Sequence, residues 1–162
     1  MDTSARRFTP FKSNSGFSLV ELLVVVTVIA ILSVIGVAVY QNITSGAKDA
    51  QRKADIDAIA SALGNKKISD PNQAGYYLTV GDNDFTNGKV PADPKSTRNY
   101  CISTATDTTV PSTPSGWDTG CPTTPAGYSA FTGTMPDSTK TWKICAVLED
   151  KTTVACKISA TR

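Results

Sequence analysis

Histidine is absent from all 162 residues, which removes the commonest general base and the commonest metal ligand among side chains. There is no Gly-rich phosphate loop and no pair of acids at a recognisable catalytic spacing. Ser and Thr are plentiful, yet no base stands near any of them in sequence to make a nucleophile. The four cysteines, Cys101, Cys121, Cys145 and Cys156, show no close C-x2–4-C spacing, so a tetrahedral zinc site is set aside. These absences point away from an enzyme and leave no metal or cofactor to expect. Charged residues are only 19% of the chain and the formal net charge is +2, too little for electrostatic binding of nucleic acid. Lys66-Lys67 is a weak patch that reads as a solvated helix end.

The small net charge is unevenly placed. Residues 1–16 hold Arg6, Arg7 and Lys12 against Asp2, so the leader carries the whole +2, and the remaining 13 basic and 13 acidic residues cancel. Residues 22–40, LLVVVTVIAILSVIGVAVY, contain neither charge nor proline. About 20 apolar residues at ~1.5 Å each span a ~30 Å hydrocarbon layer. From Phe17 to Tyr40 there are 24 positions with one charge, Glu21. A lone segment in lipid satisfies its backbone only as a helix, despite the many β-branched residues. The basic leader places the N-terminus in the cytoplasm by the positive-inside tendency. A cleaved secretory signal fits less well, because the apolar core is too long and Tyr40-Gln41-Asn42-Ile43 offers no small-residue cleavage site.

The polar boundary lies instead before the apolar run, at Ser13-Asn14-Ser15-Gly16. The stretch Ser15-Gly16-Phe17-Ser18-Leu19-Val20-Glu21-Leu22-Leu23-Val24 resembles the class III signal of type IV pilins and type II secretion pseudopilins: a short basic leader, a glycine, an aromatic or methionine, and a glutamate five residues into the mature chain. The specific match covers residues 12–40. This resemblance implies a prepilin peptidase cutting between Gly16 and Phe17 and methylating the new amine of Phe17. It also implies an α+β fold of the type IV pilin kind, a long N-terminal helix packed against a small antiparallel β-sheet domain. Many type IV pilins carry a proline late in the membrane segment; this sequence departs from that pattern, with Gly36 and Gly46 its only weak points.

The chemistry of the motif is readable residue by residue. Gly16 lets a protease approach the backbone closely. Glu21 inside hydrocarbon costs about 2.5–3.5 kcal/mol on insertion scales and needs a partner. The Phe17 amine of a neighbouring subunit offers the opposite charge at similar depth, and pairing with it would set the axial register between helices. The competing reading is that Glu21 snorkels to the headgroups one turn away.

From residue 41 to 63 the helical pattern continues but becomes amphipathic. Ile43, Ala47, Ala50, Ala54 and Ala58 form a small-residue stripe, and Ile56, Ile59, Ala60 and Leu63 a bulkier one roughly opposite. Two stripes suggest two packing partners: the protein's own C-terminal domain for the bulky one, another helix for the small one. Asp49 with Lys53 and Lys53 with Asp57 are i,i+4 pairs on the flanks. Gly64-Asn65 is a stop signal with Pro71 beyond it. Residues 17–63 thus read as one helix on the order of 70 Å long.

Residues 64–162 read as an extracytoplasmic domain of short strands and loops. Tyr76-Tyr77-Leu78-Thr79-Val80 has strand pattern between Gly75 and Gly81, and Asn87-Gly88 is turn chemistry. Pro91 and Asp93-Pro94 ahead of Asn99-Tyr100 loosely resemble a Pro-x-Asp-Pro…Tyr stretch that follows the helix in bacterial pilins and major pseudopilins. Thr, Ser and Pro fill 21 of the 39 positions from 101 to 139, which reads as a solvent-facing loop. Some pseudopilins bind calcium, but Asp82, Asp84 and Asp93 lack the EF-hand pattern and read as a polar turn.

Four cysteines outside the cytoplasm make two bridges in one of three connectivities. Residues 142–148 and 153–158 read as a hairpin around a turn at 149–152. Leu148 then faces Thr153, and Cys145 faces Cys156 in a non-hydrogen-bonded pair, where side chains approach closely. That register favours Cys145–Cys156, and elimination leaves Cys101–Cys121.

The domain plan is a cleaved leader (1–16), a membrane-spanning and polymerising half-helix (17–40), an amphipathic half-helix (41–63) and a globular domain (64–162). The expected function is a structural subunit of a type IV pilus-like surface filament. Its partners would be the prepilin peptidase, identical or homologous subunits in a helical homo-oligomer, the pilus assembly machinery and, before assembly, the inner membrane, with no nucleic acid. It would sit in the inner membrane as a single-pass protein and then at the cell surface. The alternatives are a pseudopilin of a type II secretion or competence system and, from another class, a membrane-tethered binding domain that never polymerises.

Overall fold

A computed structural model describes residues 16–68, 76–124 and 127–159. The leader residues 1–15, Pro71 and Gly75, on which parts of the sequence reading rest, lie outside the described residues. The chain divides into two units, Met1–Gln41 and Asn42–Arg162.

Helix α1, Leu19–Asn65, is 47 residues long and contributes to both units. In the first unit every described side chain is exposed, Phe17 and the Val, Ile and Leu run included. The two hydroxyls within the apolar run are satisfied by their own helix. Thr27 donates to the Val24 carbonyl at 2.8 Å and Ser33 to the Ile29 carbonyl at 2.7 Å, the back-bonding that lets such residues sit in lipid.

In the second unit α1 buries Arg52, Ile56, Ile59, Ala62 and Leu63. The apolar members spaced by three and four form one stripe, which packs on Tyr77, Val80, Tyr100, Ile102, Trp142, Ile144 and Ala146. Ala60 is partly buried against the same core. The small-residue stripe from Ile43 through Ala58 stays exposed. Asp49 and Asp57 do not pair with Lys53 as the i,i+4 spacing suggested. Asp49 meets Arg52 three residues on, a cation that burial fixes in place, and Asp57 meets Lys157 of β4, since an exposed i,i+4 pair is worth too little to compete.

The sheet comprises β1 (Cys101–Ala105), β2 (Ser129–Ala130), β3 (Thr141–Val147) and β4 (Val154–Ile158), all antiparallel in the order β2-β1-β3-β4. Every residue of β3 is buried, so both faces of this central strand are covered. Ile102, Trp142, Ile144 and Ala146 face the core that α1 completes. Cys101, Cys145 and Val147 face the other way, onto Trp117, Tyr128 and Cys121.

That second cover corrects the reading of residues 101–139 as a solvent-facing loop. Their first five residues are strand β1, and the Thr- and Pro-rich tract after them lies across the outer face. Pro111, Pro114 and Trp117 turn inward while Ser112, Thr113 and Ser115 stay exposed. The Tyr128 hydroxyl donates to the Ser112 carbonyl at 2.7 Å and Lys143 Nζ to the Thr113 hydroxyl at 3.0 Å. At Gly116 an added Cβ would lie 2.0 Å from the Lys151 carbonyl oxygen, so only glycine lets the tract approach the β3–β4 turn. Few apolar residues suffice because the tract needs only to roof a surface that the strands already hold.

The stretch 76–80 is also corrected. It is not a strand but an extended segment whose backbone bonds go to three places. Tyr77 N–H donates to Thr139, Leu78 to Lys66 and Val80 to Gly133. Tyr77 and Val80 enter the core while Leu78 and Thr79 stay exposed, a spacing that is not strand alternation, and no single partner strand lies alongside. The hairpin turn between β3 and β4 closes on a Leu148 N–H bond to Thr153 at 2.9 Å. The Asp150 carboxylate accepts from the Thr152 and Thr153 N–H groups and the Thr153 hydroxyl.

Candidate functional site

The N-terminal residues Gly16, Phe17 and Glu21 stand at the start of α1, with Phe17 88% exposed. Ser18 precedes the first helical residue, and its hydroxyl accepts the Glu21 N–H at 3.2 Å. In return the Glu21 carboxylate accepts the Ser18 N–H at 3.1 Å. This reciprocal pair is a capping box, Ser-x-x-Glu, which satisfies two orphan donors and places an anion at the positive end of the helix. Among the described residues Glu21 is thus bonded to its own helix start, through the Ser18 N–H and hydroxyl. From Leu19 onward α1 is long and apolar enough to cross a membrane.

Besides its apolar stripe, a buried ionic cluster ties the second half of α1 to its domain. The Arg52 guanidinium is fully buried. Its Nε donates to Asp93 Oδ2 at 2.8 Å, its Nη2 to Asp93 Oδ1 at 3.0 Å and its Nη1 to Asp49 Oδ1 at 2.9 Å. Glu149 Oε1 lies 2.8 Å from Nη2. Asp49 Oδ1 also accepts the Glu149 N–H at 2.9 Å. One guanidinium thus joins the helix, the segment after it and the β3–β4 turn, through the planar fork that suits carboxylates.

Donation to the Asp93 carboxylate raises the Arg52 pKa against the opposing cost of burial. Burial pushes the Glu149 carboxyl up, but the hydrogen bond and charge of Arg52, helped by Arg98 and Lys48, bring it below its ordinary value. Alongside, the Tyr100 hydroxyl donates to Asp55 Oδ2 at 2.6 Å. Asp55 is raised by burial, only partly offset by that hydrogen bond. Arg98, also buried, donates from Nη1 to the Leu148 carbonyl at 3.0 Å.

The sequence does not mark this cluster as a site: Asp93 and Tyr100 stand in a loose motif, Asp93 also among acids that lack a calcium pattern, and Asp49 in an expected surface pair. A signal was present: Arg52 stands four residues before Ile56 on the core-facing stripe, and a cation there demands a buried acid. Asp82 and Asp84 are used apart from Asp93. Asp82 Oδ1 accepts the Val90 N–H and Asp84 pairs with Lys66.

The structure joins Cys101 to Cys121 and Cys145 to Cys156, with Cα separations of 5.6 and 4.1 Å. Cys145 and Cys156 are direct partners in the β3–β4 register. Since Leu148 and Thr153 share a ladder bond, alternation makes 145/156 a non-hydrogen-bonded pair.

A model of the prokaryotic N-terminal methylation motif matches residues 11–37. The chain carries the class III signal of type IV pilins and pseudopilins. The match is confined to the N-terminal stretch, and no curated protein and no solved structure matches the chain. The layout agrees with the signal: one long apolar N-terminal helix and a small antiparallel four-stranded sheet form a pilin-like α+β arrangement. A pilin-type precursor is a substrate for a prepilin peptidase and assembles with other pilin subunits. The family is structural rather than enzymatic.

Proposed function

We propose that this chain is a structural subunit of a type IV pilus-like surface filament. A prepilin peptidase cuts between Gly16 and Phe17 and methylates the Phe17 amine. Before assembly, residues 17–40 hold the subunit in the inner membrane with the leader in the cytoplasm. Assembly then buries those residues against other subunits, and Glu21 leaves its own capping box to meet the Phe17 amine of a neighbour.

The observation that carries this reading over a simple membrane tether lies in the second unit. A tether needs apolar surface only across the hydrocarbon, yet beyond it Ile43 remains 63% exposed, in line with exposed Ala47, Ala50, Ala54 and Ala58. Small side chains let helix backbones approach closely, so this face suits a second helix. The ionic cluster around Arg52 fixes the opposite face to the domain, which keeps the small-residue face outward.

The test is the N-terminus of the surface protein. Mass spectrometry is expected to find a chain beginning at N-methyl-Phe17, and Gly16→Val is expected to leave precursor in the membrane with no filament. Assembled material that still carries residues 1–16 would overturn the proposal.

A further inference from the structure

The sheet brings all four sulfurs into one place. Cys101 on β1 and Cys145 on β3 are direct cross-strand partners. Cys145 and Cys156 are direct partners on β3 and β4, and Cys121 reaches Cys101 from the covering tract. All four share one apolar cluster with Trp117, Tyr128, Val147 and Val154. The inner two, Cys101 and Cys145, are fully buried, whereas Cys121 and Cys156 are partly open to solvent. Because Cys145 turns its N–H and C=O away from β4, it forms with Cys101 the wider, hydrogen-bonded kind of pair, whose Cα atoms stand roughly 5.5 Å apart, within the Cα span of a disulfide. Cys101 and Cys145 are therefore a third bridgeable pair, set between the two bridges that exist.

We propose that the two disulfides are coupled: once freed from Cys121, Cys101 displaces Cys156 from Cys145, so the tether of the covering tract and the clip of the β3–β4 hairpin form one redox relay. In the first step a dithiol reductant outside the cytoplasm attacks Sγ of Cys121, the more accessible sulfur of its bridge. A mixed disulfide forms there, the Cys101–Cys121 bond breaks and Cys101 leaves as a thiolate; the reductant's second thiol then resolves the mixed disulfide and leaves Cys121 as a thiol. In the second step Cys101 Sγ attacks Cys145 Sγ. The Cys101–Cys145 bond forms, the Cys145–Cys156 bond breaks, and its electron pair departs on Cys156, which takes a proton from water. The second step exchanges one disulfide for another with no net oxidation. Burial disfavours a thiolate at Cys101 and partial exposure favours one at Cys156, and the better-solvated thiolate is the better leaving group. Reducing equivalents that enter at the tract thus emerge as a thiol on the edge strand β4.

Cys121→Ser tests this in the full chain held in detergent. It leaves Cys101 without its partner and needs no added reductant. After an acid quench and alkylation of free thiols, a non-reducing peptide map is expected to show a Cys101–Cys145 link and an alkylated Cys156. The complementary Cys101→Ser frees Cys121, which has no strand register to a second bridge, and is expected to keep Cys145–Cys156 intact. If Cys121→Ser does not accumulate, the same map is made on wild-type chain poised across a series of glutathione redox ratios, where the Cys101–Cys145 species is expected as the intermediate. An intact Cys145–Cys156 bridge with Cys101 as the free thiol in Cys121→Ser, or absence of the Cys101–Cys145 link at every redox ratio, would overturn the relay.

Discussion

From residue 19 to 41 helix α1 exposes every side chain, whereas from 42 to 65 the same helix buries Arg52, Ile56, Ile59, Ala62 and Leu63. The backbone is continuous across the change; the surroundings are not. In the first half nearly all side chains are apolar, so no one of them selects a partner, and any apolar medium covers them. Glu21 is the one charged residue among them. In the second half apolar and charged residues alternate around the helix, and the choice of covered face is fixed by a stripe of branched side chains and one guanidinium. One half is built to be covered by something else, and the other carries its own cover.

Under the proposed function Glu21 and Arg52 are opposites: one charge is proposed to serve assembly, and the other is buried within the fold. The largest expected effect is therefore on filaments. Glu21→Leu is expected to insert and be processed normally, because it removes an acid from hydrocarbon, yet to abolish filaments seen by electron microscopy. Glu21→Gln keeps the shape without the charge and is expected to do nearly the same, whereas Glu21→Asp, one methylene shorter, gives a partial yield. Normal filaments from both Leu and Gln would break the comparison at its first half.

Arg52→Ala is expected to leave processing untouched and to destabilise the second unit by about 3–5 kcal/mol, the usual cost of stranding a buried ionic partner. Asp93, 1% exposed at its side chain, is the group left without its cation. Denaturant unfolding of the full chain in detergent, followed by Trp fluorescence, reads the change. A loss below about 1 kcal/mol would mean that water reaches Asp93 and that the cluster is not what holds the helix.

The same substitution made twice sharpens the contrast. Ile59→Ala opens a cavity beneath a fully buried side chain and is expected to cost about 2–5 kcal/mol. Ile29→Ala, on a side chain 56% exposed within one chain, is expected to leave unfolding of the second unit unchanged. Any effect it has should appear only in assembled material. Equal losses in the isolated subunit would show that the two halves are not independent.

The sequence was most legible where one physical requirement dominates. The uninterrupted apolar run and the absence of proline gave the helix, and the structure ends it at Asn65, two residues past Leu63. The register of the last hairpin followed from a four-residue turn and alternation, and the cysteines of β3 and β4 stand opposite each other. Legibility failed where a segment's partner lies far away in sequence. The segment 76–80 has the composition of a strand but bonds to three separate pieces of chain, and alternation says nothing about that. The Thr-rich tract has the composition of a loop yet roofs a sheet face, because proline, one Trp and one Tyr are enough to cover buried cysteines. Arg52 is not legible as a site because a lone charge on an apolar stripe looks like an interruption without the carboxylates at 93 and 149. The methylation motif over residues 11–37 is legible because a motif is local; the ionic cluster is not, because its members come from three distant stretches.

The smallest expected effect is in pH, and it divides the second unit's own charges by sign. Glu149 has a folded pKa below its unfolded value, held there by Arg52 against its burial. Its contribution to stability is complete above the unfolded carboxylate range, near pH 4, and is lost as pH falls through the folded value. Asp55 is the reverse. Burial raises its folded pKa, so ionising it costs stability as pH rises through that value, and protonating it on acidification returns some. In wild type the two have opposite signs on either side of the ordinary carboxylate range, Asp55 acting above it and Glu149 below it, which flattens the acid limb of the stability curve. Asp55→Asn keeps an acceptor for the Tyr100 hydroxyl but removes the titration, and is expected to steepen that limb. Glu149→Gln is expected to lower stability at pH 7 and to flatten the limb or turn it upward. Denaturation midpoints measured at fixed ionic strength check both variants, and parallel acid limbs in wild type, Asp55→Asn and Glu149→Gln would show that the two carboxyls titrate alike in the folded and unfolded chain.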